Sequence, residues 1–336
     1  MPLLAEAVVP CPIGLVRGSD ISHPGRAVAA GRLVRVRAGV FADAQEWNEL
    51  APWERFLARV HAVATVAPDA VFCLEAACAL LGLPIFGDPV VVDILATGTG
   101  TARLRGGIRV HTGGNQRTLV ERGGLLMTSL AETVVDIARV RHNAVGLAIA
   151  DAALRIDAAL TPGELAALNE GRASSRGRAI ARWPLTRATG VPESVLESVG
   201  LAAIEWLGFE APDLQVTFVT GDFRDRLDFG WRRERVGLEA DGDLKYDGRY
   251  GTASTVLHRQ RVRDGRLRQH LSRLVHVGWY EVTTIAPLRS ALRSLGLVAT
   301  GPEDSAQLFS LRRAVSPLPP HRAGDGENAS PGRDRG

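Results

Sequence analysis

At 336 residues and 46% hydrophobic content the chain has room for two or three domains and enough apolar side chains for a full core, so a globular protein is expected. A net charge of +3 says little about partners by itself. Three cysteines, an odd number with no metal-ligand spacing, argue for a reducing cytoplasm, and no apolar stretch reaches bilayer length, which excludes a membrane partner in this reading. The opening MPLLAEAVVPCPIGLVRG has no basic residues ahead of its apolar part and is broken by Pro10 and Pro12, so it is read as neither signal peptide nor span.

The first fifty residues read as a short helical segment, a polar turn from Gly18 to Gly25 and then GRLVRVRAG. There Leu33, Arg35 and Arg37 alternate with Val34 and Val36, a strand bounded by Gly31 and Gly39. A small helix before an arginine-bearing hairpin outlines a winged helix or, equally, an ordinary hairpin packed on helices. WERFLARVHAVATV places Phe56, Val60 and Val63 on one helical face, and VFCLEAACALLGLP reads as a more buried helix carrying Cys73 and Cys78. PVVVDILAT and GGIRVHTGG read as strands, making this region α+β. Helices follow from about Thr128 into DAALRI and over TPGELAALNEG, where Thr161 caps and Glu164 stands three residues on. Between Arg172 and Arg187 there are five arginines and no acid, a linker or a positive helix.

From Val191 the pattern changes. VPESVLESVGLAAIEWLGF is an amphipathic helix stopped at Gly208. QVTFVT, LDFGW and RVGLEAD read as three strands, followed by the loop DGDLKYDGRYGT, a basic helix from about Ala253 to Leu271 and a last strand, RLVHVGWYEV. Between Arg249 and Arg273 there are seven arginines and a single acid, Asp264, as suits a surface that approaches a polyanion or a solvated helix face. The stretch Arg226 to Tyr246 gathers Asp228, Glu239, Asp241 and Asp243 beside Lys245, the only lysine among 40 basic residues. A lone lysine suggests a role for a compact ammonium that a guanidinium fork does not fill. Alternation predicts that Leu227 and Phe229 face the core opposite to Asp228, and that Glu239 and Asp241 share one side of their strand. His111, His142, His258 and His276 have no acid or cysteine at ligand spacing and are read as surface or core side chains. Ser129 and Ser254 lack a triad, and the glycine-rich turns lack a phosphate-loop ending.

Two resemblances organise these elements. GRLVRVRAGVF, CLEAACALLGLP, SLAETVVDIARV and AIADAALR, over residues from about 14 to 170, resemble the type IV abortive-infection antitoxin family of bacteria, which implies a degenerate winged helix, an α+β domain and a DNA-binding ancestor. Residues from about 191 to 285 resemble the PD-(D/E)xK nuclease superfamily, most closely its branch similar to the very-short-patch mismatch repair endonuclease. The carrying residues are Asp228, Glu239 with Asp241 and Gly242, Lys245 three on from that glycine, Arg263 and Asp264 on the helix, and Gly278, Trp279 and Val282 beyond it. Most of the superfamily has lysine where this chain has Asp241; in the resembling branch an acid there is normal.

The expected class is therefore α/β and α+β multidomain: a winged-helix-like region over 1–50, an antitoxin-like α+β domain over 51–171, a basic linker or helix over 172–190, a restriction-endonuclease-like α/β core over 191–300, and a tail over 301–336 whose end is disordered. The second resemblance implies a metal-dependent DNA endonuclease. Asp228 and Glu239 would hold Mg²⁺ or Mn²⁺, Asp241 and Lys245 would assist, and Glu197, where the family's first-helix glutamate falls, would be an outer acid. Arg259, Arg261, Arg263, Arg266, Arg268, Arg35 and Arg37 would hold phosphates. The partners implied are DNA and either a cognate toxin or another protein. The rival readings are a non-catalytic DNA-binding regulator or antitoxin of a type IV toxin–antitoxin system, and a structural or toxin-binding module.

Overall fold

The computed structural model describes residues 7–96, 101–113, 117–241 and 253–315. Among these the chain is a mixed α/β protein with three sheets. The first is small: β1 (Val16–Arg17), β2 (Leu33–Arg37) and β3 (Val40–Asp43) pair antiparallel in the order β1-β3-β2. The alternating LVRVR run does form a strand, with a register shift between Arg35 and Arg37. Among residues 7–17 there is no helix; the segment's helix, α1 (Pro24–Ala29), begins inside the expected polar turn, with Pro24 at its start. Asp43 then caps α2 (Ala44–Glu49) by accepting from the amides of Gln45 and Glu46.

The middle region holds α3 (Pro52–Val66), β4 (Val71–Phe72), α4 (Leu74–Leu81), β5 (Val92–Leu95), β6 (Arg103–Arg105), β7 (Ile108–His111), β8 (Leu119–Arg122) and β9 (Leu125–Thr128), then α5 (Leu130–Val140), α6 (Asn143–Ile156), α7 (Pro162–Gly171) and α8 (Arg178–Arg187). Its sheet runs β6-β7-β5-β4-β9-β8, with β4 parallel to β9 and β5 parallel to β7. Thr161 and Glu164 close the expected capping box on α7. The arginine-rich stretch is helical over α8, which buries Ala181 and Leu185.

In the last region α9 (Val195–Trp206) precedes β10 (Asp213–Thr220), β11 (Phe223–Trp231), β12 (Val236–Ala240), α10 (Ala253–Leu267), β13 (Arg273–Val277), α11 (Trp279–Thr284), α12 (Ala286–Ser294) and α13 (Ser305–Val315). The sheet runs β10-β11-β12-β13, antiparallel except for the parallel pair β12 and β13. Gly208 ends α9 as expected, at φ 76°, and a β-carbon there would meet Gly301 O at 2.2 Å. The strand expected to continue through Val282 stops at Val277. Glu281 accepts from the Gly278 amide at 2.8 Å and starts α11 instead, a local cap that outweighs the strand preference of Trp279, Tyr280 and Val282. Within the expected tail, α13 is packed: Leu308, Leu311 and Val315 join the core. The disorder expected from Ser316 on lies outside the described residues.

One apolar core runs from Phe56 through Ile137 and Ile149 to Ile204, Phe229 and Leu311, because α6 packs directly on α9. A smaller cluster of Val216, Leu227, Leu267, Leu271 and Leu274 lies under α10. The last sheet is thus covered twice, and β12 is buried at every position from Val236 to Ala240 rather than half exposed. No helix among the described residues is long and apolar enough to cross a membrane.

Candidate active site

Leu227 enters the cluster under α10 while Phe229 joins the main core, so the expected alternation fails at Asp228. The reason lies in the pairing. The register of β11 with β12 runs only from Trp231 to Phe229, and beyond it the Ala240 amide donates to Asp228 Oδ2 at 2.8 Å, a carboxylate standing where a strand carbonyl would continue the ladder. On the other side Gln215 of β10 has a left-handed backbone, φ 50°, a conformation costly for a non-glycine residue within a strand. Its Nε2 donates to Glu197 Oε2 at 2.6 Å and reaches Asp228 Oδ1 at 3.4 Å. Glu197, in the first turn of α9, also accepts from the Glu193 amide at 2.8 Å. Gln215 thereby ties the first-helix glutamate to the β11 aspartate.

Glu239 lies near the end of β12 and is almost wholly buried. One nitrogen of Arg263, Nη2, donates to both of its oxygens, at 2.8 and 2.9 Å, and also to the Arg226 carbonyl. Burial, and next the charge of Asp228, push the Glu239 carboxyl up to about 8 against the pull of Arg263. Gly237, two residues earlier, has no side chain because a β-carbon would meet Leu227 Cδ2 at 2.7 Å. That close approach lets α10 settle near enough for Arg263 to reach the acid.

Asp241 belongs to a neighbouring cluster that sequence reasoning missed. The parallel register sets His276 beside Glu239 on the adjacent strand. His276 bridges two acids, Nδ1 lying 2.6 Å from Asp241 Oδ2 and Nε2 lying 3.0 Å from Asp264 Oδ2, and Gln260 donates to Asp241 at 2.8 Å. The hydrogen bond to Asp241 holds His276 above its ordinary pKa despite burial. His276, read from sequence as an isolated core or surface histidine, is instead a clamp joining β12, β13 and α10. With acids at both nitrogens, the ring sits in a closed set of hydrogen bonds.

Glu197, Asp228, Glu239, Arg259 and Arg263 line a single cleft of about 1640 Å³. Its opposite wall comes from the middle region, with Trp53, Leu83 and Phe86. Arg224 and Arg226 of β11, which were not among the expected phosphate contacts, line it too. Of the other expected phosphate contacts, Arg261 and Arg268 are exposed but do not line the cleft. Arg266 is engaged by Asp225 through two contacts of 2.6 Å and stands over the Phe223 ring. Arg35 lies over Phe41, and burial lowers the pKa of Arg37, whose Nε is enclosed; neither lines the cleft. Lys245 and Asp243 fall outside the described residues, so the lone lysine has no observed place.

Among the described residues no three His, Cys, Asp or Glu side chains form a metal-binding group. The two-carboxylate set of Asp228 and Glu239 does fit a hard divalent cation, which takes one or two carboxylates and keeps several waters. The positive centre already equidistant from both Glu239 oxygens marks the same preference for a cation there. No family model matches the chain, and no curated protein or solved structure is similar to it.

Proposed function

We propose that the chain is a metal-dependent nuclease that hydrolyses phosphodiester bonds in DNA, with its active site in the cleft at Asp228 and Glu239. The observation that carries this reading is the pair of acids from adjacent strands, one of them with its pKa raised by burial and next by the other, opening on a cleft lined with arginines. A buried acid with a perturbed pKa in a cleft is a functional-site candidate. The resemblance of residues 191–285 to the very-short-patch-repair-like branch of PD-(D/E)xK nucleases supports the same reading, and the antitoxin-like, winged-helix-like N-terminal region supports DNA as the partner.

Asp228 and Glu239 would hold Mg²⁺ or Mn²⁺, which when bound neutralises charge on the phosphoryl oxygens and makes water a nucleophile at neutral pH. Gln215 fixes the Asp228 side chain against Glu197. The His276 clamp keeps β12 and α10 in register, so that Glu239 is presented to the cleft rather than to solvent at large. Arg224 and Arg259 supply charge for phosphates along the walls. Asp241 acts through His276 as a positioning residue, and Lys245 keeps the assisting role implied by the resemblance.

Nicking of supercoiled plasmid under Mg²⁺ or Mn²⁺ tests the proposal. Wild type should nick, and Asp228→Asn or Glu239→Gln should lower the rate by about a hundredfold or more while circular dichroism stays unchanged. Wild-type protein that leaves supercoiled, linear, mismatched and single-stranded DNA intact in both metals sinks it. Salt-sensitive DNA binding without cleavage would favour the regulator or antitoxin reading in its place.

A further inference from the structure

We infer that Arg263 is a built-in competitor for the cation: in the metal-free protein its Nη2 occupies the place of the ion on Glu239, and loading the site requires this side chain to leave. The inference rests on the nuclease reading for the identity of the site, and on the following geometry for the rest.

The best-fitted way for an arginine to hold a carboxylate is by its fork, two nitrogens in parallel to two oxygens. Arg117 does this with Asp136, Nε to Oδ2 at 2.8 Å and Nη2 to Oδ1 at 3.0 Å. Arg266 does it with Asp225, at 2.6 Å on each arm. Arg263 does not. A single nitrogen stands 2.8 Å from Oε1 and 2.9 Å from Oε2 of Glu239, straddling both oxygens as Arg187 Nε straddles the partly exposed Glu205 at 2.7 Å, but here on a buried acid. The same nitrogen faces a third oxygen, the Arg226 carbonyl, so two N–H groups serve three acceptors. Three oxygens around one positive centre is the coordination pattern of a hard cation, not of a guanidinium fork. Asp228 and Asp264 add two further carboxylates to its field.

The side chain is also placed to move. Its helix stands at the cleft wall, Arg263 itself lines the cleft, and about a quarter of its surface is already exposed there. Displaced from Glu239, the guanidinium reaches the same space that a phosphate would enter. Arg263 is therefore a positioning residue with two stations: on Glu239 when no cation is bound, and in the cleft when one is.

Calorimetric titration of the full chain with Mn²⁺ alone, without nucleic acid, tests this. Removing the competitor should tighten Mn²⁺ binding about tenfold in Arg263→Gln, the scale of one charge-assisted contact. Arg259→Gln removes the same charge from the same helix one turn away without touching Glu239, and should change affinity less than about twofold because an exposed charge is screened. Equal affinities for wild type and Arg263→Gln, an equal gain in Arg259→Gln, or no Mn²⁺ bound by any of them overturns the inference. Should Arg263→Gln fail to fold, a Mn²⁺-loaded crystal structure of wild type decides: Nη2 away from both Glu239 oxygens supports displacement, and Nη2 still in place refutes it. The two readings fail separately. Mn²⁺ bound in this way by a protein that cuts nothing removes the nuclease proposal and leaves Arg263 as the competitor. A working nuclease whose Mn²⁺ affinity ignores Arg263 does the reverse.

Discussion

Around Arg172 two carboxylates meet two guanidiniums; around Arg263 two carboxylates face one. In the first cluster Asp136 receives the fork of Arg117, Arg172 contacts both Glu132 and Asp136, and the Thr118 amide donates to Glu132. Arg172, Glu132 and Asp136 are 5%, 4% and 7% exposed, and none of them lines the cleft. In the second cluster Glu239 is 2% exposed, but its partner Arg263 is 28% exposed and opens on the cleft. The first arrangement balances charge inside the fold. The second leaves two carboxyl groups facing one guanidinium at a cleft that solvent, an ion or a phosphate can enter. The same residue types thus serve packing in one region and chemistry in the other, and stoichiometry with access tells them apart.

The largest expected effect tests the closed cluster. Arg172→Ala takes the salt-bridge partner from buried Glu132 while Asp136 keeps the fork of Arg117, and urea unfolding should show a loss of about 3–5 kcal/mol. A loss below about 1 kcal/mol would put this cluster on the same footing as the open one. Glu239→Gln should behave oppositely, because it removes a buried carboxyl that desolvation already pushes toward its neutral form and leaves Arg263 to rehydrate at the cleft. The metal-free variant is expected to be as stable as wild type or more stable by about 1 kcal/mol, the trade expected where function opposes stability. A drop of more than about 3 kcal/mol in the same urea experiment would make Glu239 and Arg263 a structural pair.

The smallest effect is in pH. The folded pKa of His276 is raised, chiefly by its hydrogen bond to Asp241, so its contribution to stability is complete below its unfolded value of about 6.5 and is lost as pH rises through the higher folded value. Glu239, raised to about 8, also loses stability with rising pH, from its unfolded value near 4.3 up to 8. Measuring in the Glu239→Gln background isolates His276. Unfolding free energy there should decline above about pH 6.5, and His276→Asn should flatten the decline. A slope that persists in the double variant would place the titrating group elsewhere.

Much of the architecture was legible because its signals are local. LVRVR alternates and forms a strand, the Thr161 and Glu164 pair closes its capping box, and Gly208 ends its helix where only glycine avoids the Gly301 carbonyl. Asp228 and Glu239 could be set on adjacent strands from the order of apolar runs and the residues between them. Gln215 carried no signal, since it sits at the head of a β-branched run and matters only through an unusual φ and partners 13 and 18 residues away. His276 is 35 residues from Asp241 and meets it only through the parallel pairing of β12 with β13. The helix at Trp279 shows a three-residue cap outweighing side chains that otherwise favour a strand.

What the sequence determined by itself is the order of elements from α9 to β13, with the two acids on neighbouring strands and the basic helix after them, because periodicity, caps and turns act over a few residues. Tertiary structure alone decided which arginine reaches Glu239, that His276 closes a clamp rather than standing as an isolated side chain, and that the middle region supplies the far wall of the cleft. These depend on register across a crossover and on how near α10 lies to the sheet, where Gly237 admits Leu227. No stretch of chain short enough to read as a motif contains both partners of any of those contacts.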